Sequence, residues 1–286
     1  MNLKIIISSI VFVLFTNNIF SQNEPIAYEI YNSKGKKVKF SNIVKESLKA
    51  DVVFFGELHN NAIAHWLQLE LVKAVYPEKK ENLVLGAEMF EADDQIILNE
   101  YIEGFIDFKK FDAEAKLWKN YSTDYAPLVD FAKENKLKFI ATNIPTRYAN
   151  MVYKRGISVL DSVSDLAKLW MTPLPFEVDE TLESYKNMKI PGHGNNLMLA
   201  QAIKDATMAH FIYNTKGEND LFIHFNGAYH SDLKEGIVWY LQNKNKELKI
   251  MNISTVEVEN FNEIDKEYFN KADFIIVTNK NMTKTY

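Results

Sequence analysis

Short apolar runs alternate with segments of helical periodicity along most of the chain. After the first run, apolar residues from Ile63 to Val75 recur at helical spacing and share one face of a predicted helix. Strands that alternate with helices in this way predict an α/β fold, in which a mainly parallel β-sheet is flanked by helices. The strand-like runs are residues 52–55, 83–89, 137–142, 221–226, 249–254 and 274–278.

Two parts of the chain depart from this alternation. Residues 28–40 alternate around a Ser-Lys-Gly turn and predict a β-hairpin, and Ser41 is placed to cap the short helix that follows. Residues 145–215 contain no convincing strand, and turns rich in proline and glycine punctuate their helical stretches. We therefore predict a hairpin and helix over residues 23–50, then an α/β domain over residues 51–286 that carries a helical insertion, or subdomain, at about 145–215.

The first 22 residues have the pattern of a secretory signal. Lys4 gives the start a positive charge, and residues 5–15 (IIISSIVFVLF) form an apolar run too short to span a bilayer comfortably. Polar residues follow this run. We therefore expect residues 1–22 to be cleaved and the mature protein to be periplasmic or secreted, without stable insertion in a membrane. The alternative is an uncleaved N-terminal anchor.

Composition and charge exclude several functions. The chain is 47% hydrophobic and 25% charged, which is typical of a soluble globular protein with a large core. Its formal net charge of −5 offers no basic excess, so a nucleic-acid partner is not expected. Cysteine is absent, which excludes disulfides, a thiolate metal ligand and a lipid-modified cysteine after the signal. We therefore do not expect a lipoprotein.

Ionisable and amide side chains stand at the ends of four predicted strands. In open parallel sheets, ligands bind beyond the carboxyl ends of the strands. We therefore expect the side chains at these ends to converge on one cleft. They are Glu57 and His59 after the first strand, Glu88 at the exit of the second, Asn143 and Arg147 after the third, and Asn226, Tyr229, His230 and Asp232 after the fourth.

Two of these strand ends carry the same GxxH motif. The sequences GELH and GAYH place His59 and His230 three residues after a glycine that permits a tight turn. With a carboxylate from Glu57 or Glu88, the two histidines would form a reasonable ligand set for a divalent metal ion. The structural alternatives are that Glu57 caps the next helix and that His59 hydrogen-bonds a backbone carbonyl.

Longer motifs resemble a known family. The segments GELHNN, AEMFEADDQIILNEYIEG, NIPTRYANMVYKRG and GAYHSD, with the helix MLAQAIKDATMAHFI before the last of them, resemble the ChaN-like haem-binding uptake family of the Tiki superfamily. The resemblance covers roughly residues 48–245. It implies an exported α/β domain with an appended helical part that binds haem in iron acquisition. Other members of the superfamily look like metal-dependent peptidases or other hydrolases.

The resemblance also implies which residues form the cleft and hold haem. It points to tyrosine ligation of the iron, with Tyr229 as the candidate, although histidine or methionine remain alternatives. Arg147 would pair with a haem propionate. Alternative tyrosines are Tyr148, Tyr153 and Tyr185. Carried over by position, the shared cleft comprises Glu57, His59, Glu88, Asn143, Arg147 and His230.

The remaining histidines carry weaker signals. His193 stands between two glycines in a loop, where it is either a ligand over the cleft or an exposed residue without a role. His65 lies near the apolar stripe of a predicted helix, and His224 lies within a predicted strand, so both are expected to be structural. His210 lies on a predicted helix with no partner that the sequence identifies.

Three functions fit these observations. The first is binding of haem, or a similar small ligand, for haem and iron uptake, with a ligand shared by two copies in a homodimer as an open alternative. The second is metal-dependent hydrolysis, in which His59 and His230 hold the ion and Glu57 or Glu88 activates water. The third is a cleft that binds another small molecule with neither haem nor metal.

Overall fold

Eight strands form one sheet in the computed structural model, which describes residues 26–186, 188, 194–261 and 264–286. These strands are β1 (Tyr28–Asn32), β2 (Lys37–Val38), β3 (Val52–Glu57), β4 (Leu83–Glu91), β5 (Lys138–Asn143), β6 (Leu221–Gly227), β7 (Ile250–Val258) and β8 (Phe274–Asn279). Their order in the sheet is β2-β1-β8-β7-β3-β6-β4-β5. Strands β3 to β8 pair in parallel, whereas β1 is antiparallel to β2 and β8.

Helices connect the parallel strands and cover the sheet. The described residues form α1 (Phe40–Ser47), α2 (Ala62–Lys79), α3 (Gln95–Ile102), α4 (Phe108–Glu114), α5 (Ala126–Asn135), α6 (Thr146–Arg155), α7 (Asp165–Lys168), α8 (Glu183–Lys186), α9 (Asn196–Thr215) and α10 (Ile237–Lys244). The predicted α/β fold, with a mainly parallel sheet flanked by helices, is confirmed. Helices α6 to α9 lie between β5 and β6, where the sequence predicts the helical insertion.

The N-terminal hairpin belongs to the main sheet. Strand β1 pairs with β2 on one side and with β8 on the other, so Ile30 lies opposite both Val38 and Ile276. The hairpin therefore extends the sheet at the edge opposite β5. Pairing of β1 with β8 joins the residues before position 50 to the rest of the sheet. The predicted domain boundary at residue 50 stays a prediction.

The central strands are buried on both faces, which accounts for their unbroken apolar sequences. In β3, Val53 and Phe55 pack into the core beneath α2 and α5, whereas Val52 and Phe54 pack into the core beneath α9 and α10. Burying one such side chain contributes about 2 kcal/mol. Layers on both faces therefore hold β3, β6 and β4 side by side, with their carboxyl ends along one edge of the sheet.

The side chain of Gln95 forms hydrogen bonds with the backbone at the unpaired edge of β5. The Gln95 amide donates to the Phe139 carbonyl at 2.9 Å and accepts from the Ala141 backbone N–H at 2.7 Å. One glutamine thus replaces the two hydrogen bonds that a further strand would supply, and it blunts an edge that could otherwise pair with another chain.

No helix in the described ranges combines the length and apolar character needed to span a bilayer. The predicted signal over residues 1–22 lies outside the described residues.

Candidate functional site

A cavity opens at the carboxyl ends of the central strands. Glu57 and Gly227 are the last residues of β3 and β6, and they lie opposite each other in the sheet. The cavity has a volume of about 660 Å³. Five of the residues predicted for the cleft line it, namely Glu57, His59, Tyr229, His230 and Asp232. The two GxxH motifs therefore do converge on one rim of the sheet.

Glu57 is the centre of a buried polar network. Its carboxylate accepts hydrogen bonds from His59 Nδ1 at 2.9 Å, from the Tyr125 hydroxyl at 2.7 Å and from the Gln68 amide. His65 Nδ1 lies 3.4 Å from the second carboxylate oxygen. Burial by itself would raise the pKa of Glu57, but the hydrogen bonds from His59 and His65 lower it to about 2. Glu57 is therefore a carboxylate that orients His59.

His59 stands between this network and the cavity. Its side chain is one third exposed, and its ring packs edge-on against Trp118. Burial lowers the pKa of His59, but the hydrogen bond that His59 donates to Glu57 and the negative charge of Glu88 outweigh this effect and raise it. An imidazole that is held by a carboxylate and open to a cavity is placed to exchange a proton with a bound molecule.

The second GxxH histidine lies in a separate buried network. His230 Nε2 is 3.1 Å from a Glu88 oxygen, and His230 Nδ1 hydrogen-bonds Asp205. Glu88 also accepts the Gly227 N–H at 2.8 Å, and Asp205 accepts the Tyr185 hydroxyl at 2.8 Å. Burial lowers the pKa of His230, but the charges of Glu88 and Asp205 raise it to about 10. His230 is therefore a buried cation between two carboxylates.

This arrangement does not support the predicted metal site at His59 and His230. Both nitrogens of His230 face carboxylate oxygens, so a protonated ring there has no lone pair for a metal ion. In the ranges that the structure describes, no group of three or more histidine, aspartate or glutamate side chains is arranged to hold a metal. The metal-ligand set of His59 and His230 stays a prediction that this geometry does not support, because the carboxylates pair with the imidazoles.

Asn143 and Arg147 have structural partners instead of facing the cavity. Asn143 is buried at the end of β5 and donates to the Glu88 carbonyl at 3.1 Å. The Arg147 guanidinium donates to Asp93 at 2.6 Å and lies over the ring of Tyr148. Neither residue lines the cavity. The predicted contact between Arg147 and a haem propionate therefore has no geometric basis here.

Among the candidate tyrosines, Tyr229 is the one that lines the cavity. It is half-exposed, and its hydroxyl makes a long hydrogen bond of 3.3 Å to the Ser184 carbonyl. Tyr148 and Tyr185 are buried, and Tyr153 is exposed on α6 away from the cavity. His193, the predicted loop ligand, lies outside the described residues.

Sequence reasoning missed several residues of these networks, among them Gln68, Tyr125 and Asp205. Asp205 is the one charged residue among the mostly apolar buried positions of α9, and that isolated charge was the signal that could have found it. His65 was expected to be structural; it is buried, but it contacts both Glu57 and Asp124. His65 lies one helical turn after Asn61. Asn61, and not Glu57, caps α2 by accepting a hydrogen bond from the Ala64 N–H.

His224 has the structural role that the sequence predicts. It is fully buried in β6 and hydrogen-bonds Thr142 at 2.7 Å and Asn226 at 3.0 Å. Burial lowers its pKa to about 4, so it is neutral near pH 7. Such a neutral, fully bonded imidazole ties β6 to β5 and does not reach the cavity.

With this geometry established, similarity to known proteins assigns the family. Residues 43–241 match the family described as haem-binding uptake, Tiki superfamily, ChaN. The match spans more than half of the chain, and the protein therefore belongs to this family. None of the curated proteins matches the sequence.

Among similar solved structures, one shares the fold of this chain. ChaN of Campylobacter jejuni, whose structure is described as showing cofacial heme binding, is 20% identical; the alignment covers 88% of this chain and 97% of that one, with a TM-score of 0.67. A Bacillus cereus protein is 14% identical, with coverage of 82% and 73% and a TM-score of 0.49. A mutant of erythromycin esterase EreC in its open conformation is 11% identical, with coverage of 89% and 83% and a TM-score of 0.48.

Proposed function

We propose that this protein binds haem in the cavity at the carboxyl ends of β3 and β6, and that it is an exported component of haem or iron uptake. One observation carries the proposal beyond family membership, which is the position of Tyr229 on the cavity wall with a weakly bonded hydroxyl. Tyrosine is an established axial ligand of haem iron. The signal-like pattern of residues 1–22 supports export.

Tyr229 suits the role of iron ligand because little holds its hydroxyl in place. The bond to the Ser184 carbonyl is long, so turning the phenol towards an iron atom costs little. His59 faces the same cavity and is the second side chain that could contact the porphyrin. Heme binding to the Campylobacter jejuni relative is described as cofacial, and a homodimer of this chain around the ligand is part of the proposal.

A haemin titration tests the proposal. Wild-type protein is expected to give a saturable shift of the Soret band, and Tyr229→Phe is expected to weaken haemin binding by about tenfold because the iron–oxygen bond is lost. Tyr153→Phe is the matched control, since Tyr153 is about as exposed but lies away from the cavity. Wild-type protein that gives no Soret shift would refute haem binding, and unchanged affinity in Tyr229→Phe would refute the ligand assignment.

A second function is favoured by the pairing of His59 with Glu57. A histidine that is oriented by a buried carboxylate and faces a cavity can activate water as a general base. This hydrolase would use His59, and not a metal-held water, because His230 is bonded to Glu88 and Asp205.

Turnover of a panel of chromogenic esters and peptides tests this second function. Wild-type protein is expected to hydrolyse at least one of them, and His59→Gln is expected to lower the rate by about a hundredfold. His210→Gln, which changes a partly exposed histidine on α9, is the control and should keep full activity. Wild-type rates no higher than those of buffer alone would argue against hydrolysis.

A further inference from the structure

A second cavity, which we call the β5 groove, lies along the outer edge of β5 and is lined there by residues 136–141. Ile102 and Phe105, at and after the end of α3, line one side, and Phe211 and Thr215 of α9 line the other. Its volume is about 850 Å³, which is typical of sites that bind small molecules. None of the described residues that line the β5 groove also lines the first cavity, so the two are separate.

Apolar side chains in the β5 groove are only partly covered by the protein. Phe105 is 76% exposed, and its backbone N–H donates to the Glu100 carbonyl at 2.8 Å, which fixes the turn that presents it. Ile102, Ile140 and Phe211 are each partly buried. Because these four side chains line one groove, an apolar molecule that lies in it would remove surface of all four from water.

The charged side chains of the β5 groove are mainly lysines. Lys133, Lys136 and Lys138 line it, against the single carboxylate of Glu103. Lys136 and Lys138 are exposed, and neither has an ion-pair partner among the described residues. The Lys133 ammonium group lies 3.8 Å from the centre of the Tyr101 ring. Since the whole chain has a formal net charge of −5, this local excess of positive charge favours a negatively charged occupant.

Gln95 restricts what can occupy the β5 groove. Its side chain is bonded to the Phe139 carbonyl and to the Ala141 N–H, which are backbone groups that an added peptide strand would need. A peptide strand would have to displace Gln95, whereas a molecule without backbone amides would not. The occupant that fits is therefore an apolar chain that carries a negatively charged group.

We propose that the β5 groove binds a long-chain carboxylate such as a fatty acid. The apolar chain packs against Ile102, Phe105 and Phe211, and the carboxylate accepts charge-assisted hydrogen bonds from Lys136 and Lys138 at the start of β5. This site is independent of haem binding, because the β5 groove shares no described lining residue with the first cavity.

Titrations with a dansyl-labelled fatty acid and with its uncharged methyl ester test the site. Wild-type protein is expected to give a saturable rise in dansyl fluorescence and to bind the acid more tightly than the ester. The double variant Lys136→Gln/Lys138→Gln should weaken binding of the acid by about tenfold and leave binding of the ester unchanged. Phe105→Ser should weaken binding of both by about tenfold, because the chain loses its contact with the ring.

Lys34→Gln/Lys36→Gln is the matched control for the double lysine variant. These two lysines are also exposed and two residues apart, but they lie in the β1–β2 hairpin at the opposite edge of the sheet. The control removes the same charge from the protein and should keep wild-type affinity for both probes.

Several results would overturn the site. They are the absence of saturable binding to wild-type protein, full affinity in Phe105→Ser, and equal losses in the two double lysine variants. Sedimentation of wild-type protein with phosphatidylglycerol vesicles, without binding of the acid, would assign the groove to a membrane surface and also overturn the proposal. Circular dichroism checks that each variant is folded. Each variant should bind haemin as the wild type does, and a parallel loss of haemin affinity would contradict a separate site.

Discussion

Glu88→Gln will lower the free energy of unfolding by about 3 kcal/mol near pH 6, because it leaves a buried cation with one carboxylate in place of two. In the wild-type protein, His230 lies between Glu88 and Asp205 and is almost fully buried. Burial would raise the pKa of Glu88, but the charge of His230 holds it well below its usual range. Glutamine keeps the shape of the side chain and can still accept the Gly227 N–H, so the change isolates the charge.

The loss in the free energy of unfolding caused by Glu88→Gln will depend on pH, and the directions of the pKa shifts determine how. The pKa of His230 is raised from 6.5 to about 10, so its stabilisation is complete below pH 6.5 and is lost as the pH rises towards about 10. The pKa of Glu88 is lowered from 4.5, so its stabilisation is complete above pH 4.5 and is lost as the pH falls. The difference in the free energy of unfolding between Glu88→Gln and wild type will therefore be largest between about pH 4.5 and pH 6.5.

Urea unfolding at pH 6 and pH 9.5 measures this difference. Glu81→Gln, at an exposed position before β4, is the control and should change stability by no more than about 0.5 kcal/mol at either pH. A loss in Glu88→Gln that stays the same from pH 6 to pH 9.5 would show that the ion pair with His230 does not contribute in this way.

Gly56→Ala will also lower the free energy of unfolding, by about 3 kcal/mol, because the space for a Cβ atom is closed by backbone on two sides. A Cβ atom at position 56 would lie 2.9 Å from the Ala228 Cα and 2.9 Å from the Ile253 carbonyl oxygen. These atoms belong to the turn after β6 and to β7, which flank β3 in the sheet. Relieving these two close contacts would therefore require the strands themselves to shift.

Gly227→Ala provides the comparison for Gly56→Ala. A Cβ atom at position 227 would lie 2.8 Å from His59 Nε2, which belongs to a side chain. His59 can turn towards the cavity, so this variant should lose less stability while the hydrogen bond from His59 to Glu57 is broken. Chemical denaturation of both variants checks the order, and a stability for Gly56→Ala equal to that of Gly227→Ala would contradict the backbone argument.

The sequence predicted the sheet and its functional edge because both follow from local patterns. Unbroken apolar runs such as that of β3 indicate strands buried on both faces, and parallel strands place their carboxyl ends along one edge. The sequence places Glu57, His59, Tyr229, His230 and Asp232 there, and all five line the cavity. The family could also be recognised, since the order and spacing of its motifs are properties of the sequence itself.

Only the tertiary structure decided what these side chains contact. The bond from the Gly227 N–H to Glu88 joins residues 139 positions apart, and Asp205 reaches His230 from a different helix. Such pairings depend on how helices pack against the sheet at distances of a few ångströms, which residue spacing does not encode. For this reason the sequence suggested two metal-binding histidines and a propionate-binding Arg147, whereas packing pairs His230 with carboxylates and bonds Arg147 to Asp93.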